Sequence, residues 1–128
     1  EGGQVAVCNW GGDGPQELMA VTEAARSLGE DTTLVPRLPI GEPGVVEAML
    51  TAAGLTPTAA GDVAVPWAPP DDATLLRGLM SAGSLVPTIE QIGADAVRAA
   101  ILDAAAPHRA ADGSYLFAST FRWVVGRY

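Results

Sequence analysis

The 128-residue sequence has no lysine, one histidine and one cysteine, and aromatic side chains make up only 5% of it. Each scarcity removes a class of function. A single cysteine, Cys8, excludes a disulfide framework. One histidine, His108, with no second cysteine, leaves no ligand set at zinc spacing. Neither Cys8 nor any serine lies in a nucleophile motif, so a hydrolase triad has nothing to build on. Seven arginines face fifteen acidic residues, giving a formal charge of −8. That balance repels phosphate backbones and anionic lipid, and no arginine cluster offsets it, so neither nucleic acid nor a membrane surface is an expected partner. Long apolar runs are missing as well. The stretch Val63 to Pro70 is broken by proline and is far short of a bilayer span, and no leader pattern is recognisable, so a cytoplasmic chain is expected.

What remains is a globular composition, 48% hydrophobic and 17% charged, at a length that suits one small domain able to bury a core. The bias toward alanine and arginine resembles that of a GC-rich bacterial genome. Gln4 to Trp10 (QVAVCNW) reads as a buried strand with Val5 and Val7 on one face and Ala6 and Cys8 on the other, which predicts a packed, inert thiol. After the turn Gly11 to Gly14, Pro15 opens a helix with Leu18, Val21, Ala25 and Leu28 at helical spacing, stopped by Gly29. The proline-bearing stretch Asp31 to Pro43 is a connector. A second helix carries Val46, Met49, Leu50 and Ala53 to a stop at Gly54. Leu55 to Trp67 is a second strand, and Pro66 places it at an edge or a strand end.

Asp71 or Asp72 caps a helix through Leu75, Leu76, Leu79 and Met80, closed by Gly83. A short helical piece spans Val86 to Ile92. Asp95 to Ala106 follows, with Val97, Ile101 and Ala104 inward, and Pro107 ends it. Asp112-Gly113 signals a turn, and Tyr115 to Arg127 alternates as a long last strand. Its two faces are Tyr115, Phe117, Phe121, Trp123, Val125 and Leu116, Ala118, Thr120, Arg122, Val124.

The turn Gly12-Asp13-Gly14, between a strand and a helix, has the setting of a dinucleotide loop, whose amides approach a pyrophosphate. Glu17 occupies the third glycine position, however, and Asp13 and Glu17 put negative charge where phosphates would lie. An ordinary helix cap at Asp13 or Gly14 accounts for the same residues. His108 beside Arg109 lies in a loop, where it is either a solvated side chain or a general base at a pocket. Trp10 and Trp67 end two strands, where aromatic rings pack the core or line a pocket mouth.

In order along the chain, these pieces resemble the C-terminal half of a class I S-adenosylmethionine-dependent methyltransferase. "EGGQVAVCNWG" looks like the end of that family's P-G-G turn and its fifth strand. "EPGVVEAMLTAAGLTPTAAGDVAVPW" is similar to the following helix, its A-G-L stop and the sixth strand. "DGSYLFASTFRWVVGRY" resembles the antiparallel seventh strand, ending V-x-x-R. Asp71 to Arg109 resembles the helical insert, a substrate lid, of the ubiquinone and menaquinone methyltransferase-like branch.

The resemblance implies residues 1–128 as one partial α/β domain of Rossmann-like type, its strands in the order five, seven, six. It further implies a small-molecule methyl acceptor, with Asn9, Trp10, Met80 and His108 lining its pocket and His108 the only candidate base. S-adenosylmethionine is the implied cofactor of the complete enzyme. Its acidic glycine-rich loop and ribose carboxylate are not found in these residues, so the chain alone is expected to be inactive and to hold no donor. Association with the N-terminal half or with a second copy is expected. The competing expectation is a truncated, non-catalytic dimeric module that binds a ligand or partner.

Overall fold

A computed structural model describes residues 2–30 and 38–128. The described residues hold three strands and five α-helices: β1 (Gln4–Trp10), α1 (Glu17–Arg26), α2 (Val45–Ala52), β2 (Thr56–Ala64), α3 (Asp72–Met80), α4 (Val86–Ile92), α5 (Ala94–Ala105) and β3 (Thr120–Arg127). Three-residue 3-10 turns lie at Gly83–Leu85 and Ala106–His108. None of these helices is long and apolar enough to cross a membrane. The connector read over residues 31–43 falls largely outside the described residues.

The chain divides into two compact units. The first contains Glu1–Gln16, Arg37–Val65 and Ala118–Tyr128; the second contains Glu17–Pro36 and Pro66–Phe117.

In the first unit the sheet order is β1-β3-β2, with the last strand in the middle and antiparallel to both neighbours. This three-stranded antiparallel arrangement has the strand order that the resemblance implied. β1 pairs with β3 in one unbroken register from Gln4↔Arg127 to Trp10↔Phe121. The β2 ladder slips between Pro57 and Ala59, as expected where proline cannot donate. Strand alternation puts Val7 and Val124 on one face, and that face receives Val46 and Leu50 of α2 together with Leu55 and Ile40. Leu55, read as the start of a strand, is instead part of this cluster.

The opposite face carries Ala6, Cys8, Trp10, Phe121, Trp123 and Val125, and no described helix of this unit lies on it. Cys8 is therefore exposed, which corrects the expectation of a packed thiol. A period of two separates the faces of a strand without telling which is covered.

In the second unit α5 is the central helix, contacted by α1, α3 and α4. Leu18, Val21, Ala25, Leu75, Leu79, Leu85, Val97, Ile101 and Ala105 are buried; the helical positions follow the 3.6-residue spacing, except that Ala105 rather than the expected Ala104 is the buried residue at the end of α5. Leu28, counted in that stripe, lies beyond the end of α1 and is exposed. Asp71 is the N-cap of α3, its carboxylate accepting from the Thr74 N–H at 2.7 Å. Met80 is the last residue of that helix, and Gly83, read as its stop, opens the 3-10 turn instead. Gln91 clasps the end of α1: its Oε1 accepts from Glu30 N–H at 2.7 Å and its Nε2 donates to Glu30 C=O at 3.2 Å.

The strand expected from Tyr115 begins only at Thr120. Before it, Tyr115 and Phe117 make isolated bridges to Arg109 and Trp67, because their rings are sequestered in the core of the second unit.

Candidate functional site

An aromatic column forms the centre of the second unit. Phe117, with no exposed surface, stacks on Tyr115 at 5.9 Å and on Trp67 at 6.0 Å between ring centroids. Trp67 and Phe117 also exchange main-chain hydrogen bonds at 3.0 and 2.9 Å. The His108 ring lies 4.9 Å from the Phe117 ring, and its Nδ1 is 3.5 Å from Oε2 of Glu17 in the first turn of α1. Imidazole, carboxylate and apolar wall thus meet at the end of α5. A carboxylate beside one ring nitrogen orients a histidine and leaves the other nitrogen to exchange a proton. The geometry suits proton transfer or recognition of a planar ligand.

The same column has a polar end. Tyr115 Oη donates to Asp72 Oδ1 at 2.7 Å, and the Arg109 guanidinium lies 3.2 Å from that oxygen and 5.8 Å from the tyrosine ring centroid. Burial raises the Tyr115 phenol above its ordinary value, and the bond to Asp72 raises it further. This hydroxyl is a donor held in place, not a base.

In the first unit Arg122 reaches from the middle of β3 to Glu47 of α2 and to Asp62 of β2. Glu47 also accepts from the Gly44 N–H at 3.0 Å, so one carboxylate closes the helix start and pairs with the guanidinium. Its pKa is lowered first by its own main-chain amide; partial desolvation opposes this, and Arg122 and Gly44 add to the lowering. Asp62 accepts from Asp13 N–H at 3.0 Å, and a methyl group on Gly12, at φ +88°, would overlap the same carboxylate. The glycine turn after β1 therefore does cup an anion, one supplied by the chain itself. Asp13 ties the turn to β2 through its amide, and α1 begins at Glu17 rather than at Pro15, so neither Asp13 nor Gly14, the expected caps, adjoins the helix start.

The four residues singled out in the sequence fall in different units. Asn9 and Trp10 belong to the first, where Asn9 is opposite Arg122 and the Trp10 ring lies 4.4 Å from Phe121. Met80 and His108 belong to the second, where Met80 is half-buried at the end of α3. Sequence reasoning passed over Glu17, Asp72, Tyr115, Glu47, Asp62 and Arg122 as functional or network residues. For Asp62 and Arg122 a signal existed: each is a lone charge within an otherwise uncharged stretch of strand, and opposite charges on neighbouring strands pair across a ladder.

Among the described residues no three His, Cys, Asp or Glu side chains are grouped to hold a metal ion. At the Gly12 turn the Asp13 amide and the space beside Gly12 are taken by Asp62, so this turn offers no open cradle to an outside phosphate. No protein-family model and no curated protein matches the chain.

Proposed function

We propose that this chain is the acceptor-side part of a small-molecule methyltransferase of the class I S-adenosylmethionine-dependent type, in the ubiquinone and menaquinone methyltransferase-like branch. The observation that carries the reading is the sheet itself: three strands ordered β1-β3-β2, the last one central and antiparallel. This order agrees with strands five, seven and six of the fold that the sequence resembles. Because the acidic glycine-rich loop and ribose carboxylate of that family are not found in these residues, we assign donor binding to a partner segment and expect the chain alone neither to bind the donor nor to transfer a methyl group.

The work assigned to this chain is to hold the acceptor and receive its proton. His108 is the base, Glu17 orients its ring, and the Phe117 wall keeps water from one side of the imidazole. Holding the acceptor in attack geometry supplies most of the acceleration in a displacement of this kind.

Two measurements test the proposal. Calorimetric titration of S-adenosylmethionine into the isolated chain is expected to give no heat of binding; low-micromolar binding would place the donor site here and overturn the assignment. Coding sequence in frame ahead of residue 1 is expected to contain an acidic glycine-rich loop, and the joined product to transfer labelled methyl groups, with transfer reduced by His108→Gln. A joined product without that loop, or without transfer, favours the second reading, a non-catalytic module. The exposed edge of β1 is the observation behind that alternative.

A further inference from the structure

Asp-Gly occurs twice in the sequence, at Asp13-Gly14 and at Asp112-Gly113, and each aspartate is exposed in a bend or turn. The pair has a chemistry of its own. The amide nitrogen after an aspartate can attack the side-chain Cγ, and glycine, with no Cβ, leaves that nitrogen unshielded and its backbone free to bend toward the attack. The N–C bond forms, the amide gives up its proton, and the carboxyl hydroxyl leaves with it as water, closing a succinimide ring. Water then opens the ring at either carbonyl. One opening restores aspartate; the other leaves isoaspartate, with the main chain rerouted through the former side chain. No oxidant, cofactor or second enzyme takes part.

The two pairs are held differently. At Asp112-Gly113 both reacting groups are engaged. Asp112 Oδ1 accepts from the Ser114 N–H at 3.0 Å and from the Ser114 hydroxyl at 2.6 Å, and the Gly113 N–H, the nucleophile, donates to Ala110 C=O at 3.0 Å. The Ser114 hydroxyl and then its amide lower the Asp112 pKa, so the neutral carboxyl, the form that loses water, is scarce. At Asp13-Gly14 the reacting groups have no such partners among the described residues: the Asp13 carboxylate receives no hydrogen bond or ion pair, and the Gly14 N–H has no acceptor. The bond that Asp13 does make runs from its own N–H to Asp62 and leaves both reacting atoms free.

We propose that Asp13-Gly14 is the site at which the folded chain converts to isoaspartate, and that Asp112-Gly113 is protected by its own turn. The product has a defined structural cost. Isoaspartate adds one methylene to the main chain between Gly12, whose N–H is tied to Gly41 C=O, and Gln16, whose Nε2 donates to the Gly11 and Thr120 carbonyls. Both ends of the turn are fixed, so the added length displaces the Asp13 N–H from the Asp62 carboxylate. The Arg122 ion pair is then the remaining described partner of Asp62, and the first unit is weakened where β1, β2 and β3 are tied together. The inference stands on the two turns and does not depend on the methyltransferase reading.

The test is to age the 128-residue chain at neutral pH in water enriched in heavy oxygen, digest it, and locate isoaspartate by electron-transfer fragmentation, with the incorporated label counting ring openings. Isoaspartate is expected at residue 13 about tenfold or more faster than at residue 112, since each hydrogen bond that must be released slows cyclisation by about fivefold. In denaturing urea, where neither turn persists, the two rates are expected to converge. Ser114→Ala is expected to raise the rate at residue 112 severalfold. Asp13→Glu, whose longer side chain cyclises far more slowly, is expected to remove the early isoaspartate; it is preferred to Gly14→Ala, whose new methyl group would overlap the Thr120 hydroxyl. The isoaspartate form, separated by ion exchange, is expected to unfold at lower urea than its parent. Residue 112 converting as fast as residue 13 in the folded chain, the same ratio in urea as in buffer, no isoaspartate at residue 13 over a time in which the denatured chain converts, or an isomerised chain with an unchanged urea midpoint would each overturn the proposal.

Discussion

The main-chain N–H of Asp13 donates to the Asp62 carboxylate at 3.0 Å, and that carboxylate is in turn paired with Arg122. A turn built like an anion cradle is thereby committed to a carboxylate of its own unit. Gly12→Ala tests the fit, because it introduces both a left-handed backbone penalty at φ +88° and an overlap with Asp62. A loss of about 1–3 kcal/mol is expected, read from the midpoint of urea unfolding. An unchanged midpoint would mean that the turn is not held against β2.

Acid should act on the same network through Glu47. Its pKa is depressed from an ordinary value of 4.5, so its contribution to stability is fully present above that value and is lost as pH falls through the lower folded value. Thermal unfolding between pH 7 and pH 2 is expected to show a declining midpoint below about pH 4.5. Glu47→Gln should flatten that decline while lowering the midpoint at neutral pH.

Tyr115 makes the converse prediction for alkali. Its folded pKa is raised above 10.0 by burial and then by Asp72, so the stability it adds is present below 10.0 and is lost as pH rises through the folded value. Ultraviolet titration in a Tyr128→Phe background is expected to place the Tyr115 midpoint above 10.0, and Asp72→Asn to bring it down. Tyr115→Phe should cost about 1 kcal/mol.

Phe117 is the residue on which the second unit depends most. It is buried against Trp67, Tyr115 and His108, and Phe117→Ala is expected to destabilise by about 3–5 kcal/mol, with Phe117→Leu milder. Equal losses for the two variants would mean that ring stacking, rather than filled volume, decides the cost.

Elements whose signals are local were legible in the sequence. Gln4–Trp10 and Val86–Ile92 have the bounds read from alternation and from helical spacing, and Asp71 caps as one of two aspartates named for that role. What could not be read is set by contacts between distant residues. Alternation from Tyr115 onward predicts one long strand, yet Tyr115 and Phe117 are drawn to Arg109 and Trp67 before β3 begins. Cys8 looked internal because its neighbours are apolar, and only the position of α2 decides which face of β1 is covered. His108 was visible as the one histidine, but its partner Glu17 lies on another helix with no spacing rule to connect them. Glu47 likewise reaches Arg122 across tertiary structure that no motif encodes.

The central position of β3 also bears on how the chain is made. It is the last of the three described strands to leave the ribosome, yet among the described residues both β1 and β2 pair with it. During synthesis neither the β1-β3 nor the β2-β3 ladder can form until Thr120–Arg127 has been made. Assembly of the sheet is consequently a late event that follows translation of Thr120–Arg127, and nascent β1 spends that interval as an uncharged apolar segment that holdase chaperones are suited to bind.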